Sequence, residues 1–198
     1  EIHPTQPNVL YSGTYYGALF KFDIDNSLLT PIEPYAQHIP IRNIGLPHNK
    51  PETIFIQAGP SYRSTNNGEQ WELIERTVLR TNFLFNSLNS DVVYMTRMGN
   101  EIWRSNNLGD TWQKIYTYER EDSTIIEHNI TSLGISKIDT SIIYFGTREA
   151  EIFRSTDSGL NWVLVNEGSN IIHSIDVIQT SPFNDNTLYL NINGYLAK

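Results

Sequence analysis

The chain has 198 residues, of which 39% are hydrophobic and 18% are charged, a composition typical of a globular protein rather than a disordered one. A net charge of −8 and a sequence pI near 5.0 argue against a nucleic-acid backbone or an anionic membrane as partner. The absence of cysteine excludes disulfides, thiolate metal sites and cysteine nucleophiles. No apolar run reaches the roughly 18 residues that would predict membrane insertion.

Short apolar runs with a central aromatic residue recur along the chain at regular distances. The central aromatic residues are Tyr11, Phe55, Tyr94, Tyr144 and Tyr189. Their steps are 44, 39, 50 and 45 residues, a mean of (189 − 11)/4 = 44.5. A period of this length suits four strands and their turns, which is the blade of a β-propeller. No stretch carries a convincing helical period. The sequence therefore predicts an all-β fold with about four to five repeats.

Predicted strands follow from the β-branched and aromatic residues between clusters of Gly, Asn, Asp and Ser. In the clearest repeat they cover residues 130–136, 141–147, 151–155 and 162–166. The N-terminal repeat has predicted strands at 9–14, 18–22 and 28–32, and the other predicted first strands are 39–44, 82–86 and 174–180. An acidic insertion at 116–127 explains the 50-residue step and is predicted to be a solvated loop.

These strands predict one propeller segment over residues 1–198, with three complete blades over approximately 38–167 and a partial blade on either side. Partial blades would leave exposed sheet edges, which proteins normally cover. We therefore expect the segment to belong to a larger propeller, whose remaining blades come from the same or another chain.

An eight-residue motif, Ser-x-Asp/Asn-x-Gly-x-x-Trp, occurs three times, each time after a predicted third strand. An aromatic residue and an arginine precede each copy, as Phe153 and Arg154 precede the last. The motif residues are Ser64, Asn66, Gly68 and Trp71 in the first copy, Ser105, Asn107, Gly109 and Trp112 in the second, and Ser155, Asp157, Gly159 and Trp162 in the third.

Each motif position has a predicted physical role. The Asp or Asn side chain is expected to bond the backbone two residues on, the Ser hydroxyl to add a second such bond, and Gly to supply a positive φ. The Trp is expected to begin the returning strand and to bury its ring. Because Asn replaces Asp in two copies, the motif is interpreted as a device of the fold rather than a catalytic site.

The motif and its phase resemble the Asp-box, or bacterial neuraminidase repeat, of β-propellers. The chain is similar in this respect to sialidases, xyloglucan-degrading endoglucanases, sortilin-type receptors and the photosystem II assembly factor. The resemblance implies a propeller with the boxes at the periphery, away from the binding face. It leaves the function divided between glycan enzymes and non-catalytic binding scaffolds.

Catalytic and metal-binding patterns are sparse. The segment Ile39-Pro40-Ile41-Arg42 reverses the Arg-Ile-Pro motif of sialidases, so that motif is not met. Asp176 lies in a predicted first strand and could serve a polysaccharide hydrolase, which needs two carboxylates, but nothing in the sequence pairs it, and a hydrogen-bonded strand residue is the favoured interpretation. The pair Asp23-x-Asp25 lacks the Gly and the terminal Glu of a calcium loop and fits a degenerate box.

We expect no metal and no cofactor. The five histidines show no ligand spacing; they are His3, His38, His48, His128 and His173.

Tyrosine and arginine near the predicted strand ends are candidate binding residues, because these residue types are enriched among interface anchors. Tyr15 and Tyr16 lie in the first predicted hairpin, where covering a hairpin edge is an equally good interpretation. The other candidates are Arg42, Arg80, Arg97, Arg148 and Asp176.

The sequence favours a non-catalytic binding or assembly scaffold over an enzyme, with a protein or glycan as partner. The first alternative is a glycoside hydrolase, sialidase-like or xyloglucanase-like, with part of its active site outside this segment. The second is a structural module of a larger secreted or cell-surface protein. We expect a secreted, periplasmic, lumenal or cell-surface location.

Overall fold

The computed structural model describes residues 1–32, 39–76, 82–119, 130–167 and 174–197. Within these ranges the chain forms eighteen β-strands and no helix, so the prediction of an all-β fold is confirmed. Arg80, His38, His128, His173 and residues 120–127 of the predicted insertion lie outside the described residues.

The strands form five antiparallel sheets, and in each of them strands that follow one another in the chain are hydrogen-bonded neighbours. Such meanders of three or four strands are the blades of a β-propeller. The first sheet contains β1 (Val9–Gly13), β2 (Leu19–Asp23) and β3 (Leu28–Ile32), and the second contains β4 (Asn43–Gly45), β5 (Ile54–Gln57), β6 (Ser61–Ser64) and β7 (Glu72–Glu75).

The remaining three sheets continue the same order. The third contains β8 (Phe83–Phe85), β9 (Val93–Arg97), β10 (Glu101–Ser105) and β11 (Gln113–Thr117). The fourth contains β12 (Ile130–Ile135), β13 (Ile143–Thr147), β14 (Glu151–Ser155) and β15 (Val163–Glu167). The fifth contains β16 (Ile175–Thr180), β17 (Leu188–Ile192) and β18 (Tyr195–Ala197).

One predicted strand is substantially displaced. The first strand of the second sheet was expected at 39–44 but is β4, Asn43–Gly45. Pro40 has no backbone N–H to donate to a ladder. The Ile41 N–H donates at 3.1 Å to the carbonyl of Thr14, at the end of the first sheet, so Ile41 pairs outside its own sheet.

The chain divides into two compact units, and the division falls within the third sheet. The first unit comprises residues 1–93 and 105–112. Its core joins the first two sheets: Val9, Tyr11 and Leu19 pack with Ile54, Ile56 and Ala58. Gly13 permits this approach, because a Cβ there would lie 2.5 Å from Ile41 Cγ2.

The second unit comprises residues 94–104 and 113–198 and contains two clusters of buried side chains. In one, Ile142 and Tyr144 pack against Ile175 and Ile178 of the fifth sheet. The other is aromatic: the rings of Phe145 and Phe153 stack with centroids 4.5 Å apart. Aromatic pairs of this kind add about 0.5–1.5 kcal/mol beyond the burial of their area.

Candidate functional site

The topology gives every sheet two different ends. In an antiparallel meander, the turn between the first and second strands and the turn between the third and fourth strands lie at one end. The turn between the second and third strands lies at the opposite end, together with the start of the first strand. Because each Asp-box motif follows a third strand, we call the first end the box end and the second the far end.

At the box end, the Ser hydroxyl organises each turn. In the third copy, Ser155 Oγ accepts the Asp157 N–H at 3.2 Å and the Gly159 N–H at 2.9 Å, and donates to Asp157 Oδ1 at 2.7 Å. Ser64 makes the same three bonds, with the Gly68 N–H at 2.8 Å and Asn66 Oδ1 at 2.9 Å. Ser105 repeats them as well. The buried Ser therefore supplies the bond to the residue two positions on.

The Asp or Asn side chain reaches further than the expected two residues. Asp157 Oδ1 accepts the N–H of Leu160 at 3.0 Å and of Asn161 at 2.9 Å, while Asn161 Nδ2 donates to Asp157 Oδ2 at 2.6 Å. These bonds, led by that from the Asn161 backbone, lower the pKa of Asp157 from 3.8 to about 2. In the other copies the Asn side chains accept from Gln70 and Thr111, four residues on in each case.

Two consecutive residues with positive φ close each box turn, because the Gly follows a residue that is also left-handed. In the third copy, Ser158 has φ 62° and Gly159 has φ +91°. The strand begins one residue after the Trp rather than at it, as in β15 at Val163. The indole N–H of Trp162 donates back to the Gly159 carbonyl at 2.9 Å, and Trp71 does the same to Gly68. The side chains of Ser155, Asp157 and Trp162 thus all form hydrogen bonds within the third turn.

Arg63, the arginine before the first box, ties that box to the second. Its guanidinium donates to the Leu108 carbonyl and to the Glu72 carboxylate, both at 2.6 Å, and lies 2.6 Å from Asp110. Burial lowers the pKa of Arg63, but its bonds to Glu72 and Asp110 outweigh that effect and leave the pKa raised. This arginine is a packing element of the first unit.

In the first sheet, β1 carries Tyr11 and so corresponds to the second strand of the other sheets, which puts the turn between β1 and β2 at the far end. Two tyrosines project into solvent from this turn. Tyr15 is 75% and Tyr16 is 77% exposed, and their rings meet edge to face with centroids 5.7 Å apart. Their turn is held by Thr14, whose N–H donates to the Ala18 carbonyl at 2.8 Å and whose hydroxyl accepts the Ala18 N–H at 3.0 Å. The exposed rings therefore stand on a hydrogen-bonded turn.

Arg42 lies beside this turn within the same unit. The preceding Ile41 donates its N–H to the Thr14 carbonyl, and the Arg42 N–H donates to the Gln57 carbonyl at 2.8 Å, so the backbone is fixed on both sides. The Arg42 side chain is exposed, and it has no hydrogen bond or ion pair to any described residue. The structure thus places the backbone of Arg42 next to the turn that carries Tyr15 and Tyr16.

Arg97 and Arg148, both predicted binding residues, lie at the turn between the second and third strands of their sheets but one residue out of register. Arg97 is 97 − 94 = 3 residues after its strand aromatic, whereas Arg148 is 148 − 144 = 4 residues after its own. Arg97 ends β9 and lies over the Trp103 ring at 4.8 Å from the centroid. Arg148 follows the end of β13. A shift of one residue turns side chains to opposite faces of a sheet.

Asp176 lies at a β-bulge in β16, where the register shifts between Ile175 and Val177. Its side chain is exposed, and no hydrogen bond to it is found within the described ranges, unlike the hydrogen-bonded strand residue that the sequence favoured. The equivalent bulge residue of β12, Thr131, instead donates to the carbonyls of Ile175 at 2.7 Å and Gly146 at 3.2 Å.

Three residues occupy the same position in their repeats, which the sequence analysis did not predict. Arg42, Thr131 and Asp176 each precede the central aromatic of their second strand by 13 residues: 55 − 42, 144 − 131 and 189 − 176. Aligning the repeats on that aromatic would have shown it. The far-end residues Met98 and Tyr195, 56% and 79% exposed, were missed as well. Met98 lies in the turn between β9 and β10, and Tyr195 begins β18 directly after the turn that follows β17.

A buried carboxylate lies at the start of β14. Glu151 is 9% exposed and accepts a short hydrogen bond from the hydroxyl of Tyr118, which is 3% exposed. The Thr147 hydroxyl lies 3.5 Å from the same carboxylate oxygen. Because both partners are buried, this pair is interpreted as packing rather than as an accessible catalytic pair.

In the part of the chain that the structure describes, no three His, Asp or Glu side chains come together in a way that could hold a metal ion. The same ranges contain no helix with the length and apolar composition needed to cross a bilayer.

A xyloglucanase and several GH74 enzymes are similar to this chain at low sequence identity. The chain is similar to xyloglucanase Xgh74A of Acetivibrio thermocellus, at 23% identity over 211 residues that cover 81% of this chain and 24% of the relative. Among solved structures, it resembles an ancestral GH74 enzyme (TM-score 0.76, 18% identity, 96% of this chain and 26% of that one). It also resembles the GH74 enzyme of Niastella koreensis (TM-score 0.76, 18% identity, 97% of this chain and 32% of that one). The chain thus spans about a quarter of the length of the curated relatives.

A family model described as sortilin, neurotensin receptor 3, matches residues 59–168. That range includes the three boxes and more than half of the 198 residues. Together with the GH74 structures it confirms the predicted β-propeller superfamily. The chain belongs to the Sortilin-Vps10 family.

Proposed function

We propose that this chain is a glycan-binding part of a glycoside hydrolase propeller of the xyloglucanase type, located outside the cell. The observation that carries the proposal is the similarity to a xyloglucanase and to GH74 enzymes over most of this chain. This similarity supports the hydrolase alternative better than the non-catalytic scaffold that the sequence favoured. Because the chain spans only about a quarter of its curated relative, the proposed active site includes groups beyond this segment.

The exposed pair Tyr15 and Tyr16 is the proposed contact for the sugar. A pyranose ring presents an apolar C–H face, which can pack on an aromatic ring while the phenol hydroxyl bonds the sugar's rim. The turn is already held by Thr14, so binding would cost little ordering of the backbone. Asp176 is a carboxylate at the far end of its own sheet, and glycoside hydrolysis needs such groups in pairs.

Binding of a xyloglucan oligosaccharide to the full 198-residue chain, measured by isothermal titration calorimetry, tests the proposal. Replacing both Tyr15 and Tyr16 by Ala should weaken binding by more than about five-fold, since anchor residues contribute more than about 1 kcal/mol. The matched control is Phe183→Ala, which removes an 87% exposed aromatic side chain at the box end of its sheet and should leave binding unchanged. A wild-type chain that does not bind the oligosaccharide would reject the proposal.

A second candidate, a non-catalytic receptor or assembly scaffold with a protein partner, is favoured by the Sortilin-Vps10 match. Under this function the same tyrosines would anchor a polypeptide instead of a sugar. Xyloglucan binding that depends on Tyr15 and Tyr16 would count against it.

A further inference from the structure

We propose that Arg42 makes the Tyr15–Tyr16 platform selective for glycans that carry a carboxylate. The inference rests on the proposed function, because it assigns a substrate preference to the same site. It adds a charged contact, which would set specificity, to the contact that stacks on the sugar. An experiment can reject either contact without rejecting the other.

The first support is position. Ile41 and Arg42 are attached by backbone hydrogen bonds to the Thr14 turn and to Gln57, respectively. This attachment displaces the start of β4 to Asn43 and holds the Arg42 Cα next to the turn that carries the two tyrosines. A ligand stacked on either ring would therefore lie within reach of a long guanidinium side chain.

The second support is charge. The protein has 22 acidic and 14 basic residues, so a basic side chain has many potential partners within the fold. Arg63 uses two of them, Glu72 and Asp110. Arg42 uses none among the described residues, and its planar donor array matches a carboxylate in two-point geometry.

The third support comes from the repeats. The position of Arg42 is occupied by Thr131 in the fourth sheet and by Asp176 in the fifth. Thr131 uses its hydroxyl to bond two backbone carbonyls, which is a structural role. Within the described ranges, the Arg42 side chain makes no such bond. An exposed cation that no described residue pairs, near the turn of two exposed aromatic rings, points to a ligand that is both apolar and anionic, as a uronic acid is.

The test compares two probes that differ in one group. One is a xyloglucan oligosaccharide, and the other is the same oligosaccharide with a side-chain primary alcohol oxidised to a carboxylate. For the full chain at low ionic strength, we expect the oxidised probe to bind about five-fold more tightly, the upper range for a solvent-exposed ion pair. Added salt should reduce the difference.

Two variants test whether Arg42 causes the preference for the oxidised probe. Arg42→Gln should bind both probes equally, whereas Lys137→Gln, which removes an exposed cation at the box end of the fourth sheet, should retain the preference. Equal binding of both probes to the wild-type chain, with both weakened in the double tyrosine variant, would overturn the role of Arg42 and leave the glycan-binding function intact. A preference that survives in Arg42→Gln would also overturn it. Failure of the chain to bind either probe would reject both proposals.

Discussion

The two ends of the sheets use polar side chains for opposite purposes. At the box end, Ser155 and Asp157 direct their oxygens to backbone N–H groups of their own turn. At the far end, Tyr15, Tyr16 and Arg42 are exposed to solvent, while backbone bonds and the Thr14 hydroxyl hold the turn that carries the tyrosines. The first arrangement repeats in the second, third and fourth sheets with little variation, whereas the exposed residues of the second differ between the sheets.

This difference follows from where the hydrogen bonds are made. A turn that closes by side-chain bonds needs the same side chains each time, so its sequence repeats. The turn between Thr14 and Ala18 closes by one backbone bond and by one bond to the Thr14 hydroxyl, so Tyr15 and Tyr16 between them are free to differ. Exposed residues at the second kind of turn are therefore the better candidates for a function specific to this protein.

The largest expected effect lies at the box end. Gly159→Ala would introduce a Cβ at φ +91° and 2.7 Å from Ile115 Cδ1. We expect a loss of about 2–4 kcal/mol in the free energy of unfolding, from left-handed strain and overpacking together. The measurement is urea denaturation. Gly194→Ala, at φ +86° with nothing within 4 Å, isolates the backbone strain and should cost only about 1 kcal/mol. Equal losses in the two variants would contradict the packing argument.

Removing the Ser hydroxyl should have the next largest effect. Ser155→Ala leaves the buried Gly159 N–H without its acceptor and removes a bond to Asp157. An unsatisfied buried donor costs about 1–3 kcal/mol, so the free energy of unfolding should fall by that amount. Thr156→Ala changes an exposed hydroxyl in the same turn and should stay within about 0.5 kcal/mol of wild type. Denaturation of both variants in one buffer makes the comparison, and a larger loss for Thr156→Ala would refute it.

The stability that the Asp157 charge contributes should change with pH only in acid. The folded pKa of about 2 lies below the ordinary value of 3.8, so the charged carboxylate stabilises the folded chain above about pH 4. This contribution should decline as the pH falls from about 4 to about 2.

Asp157→Asn tests this directly, because Asn occupies the same position in the other two boxes. The turn should persist, and the stability difference between wild type and variant should shrink as the pH falls from 4 to 2 in thermal melts. A difference that stays constant over that range would show that the carboxylate's charge is not the cause.

The smallest effect on stability is expected at the far end. Replacing Tyr15 and Tyr16 by Ala removes side chains that are about three-quarters exposed, and should change the free energy of unfolding by less than about 0.5 kcal/mol each. The same denaturation series measures it. A loss above about 1 kcal/mol per residue would mean that the tyrosines cover the hairpin edge as packing residues, and the distinction between the two ends would no longer hold there.

Much of the fold could be predicted because its signals are local and repeated. The spacing of Tyr11, Phe55, Tyr94, Tyr144 and Tyr189 predicts the period, and alternation and turn residues predict strands such as Leu28–Ile32 and Glu151–Ser155 at their observed bounds. The start of β4 could not be predicted, because it depends on the bond from Ile41 to Thr14 across 27 residues.

The candidate site was only partly predictable for the same reason. The sequence by itself determined an all-β chain of box-containing repeats, since each box closes within eight residues by its own side chains. Only the tertiary structure decided that Arg97 covers Trp103, while Arg42 has no side-chain partner among the described residues and follows a residue bonded to the turn of two exposed tyrosines. Whether an arginine is a packing element or a ligand contact depends on which neighbour reaches it, and that neighbour comes from another turn or another sheet.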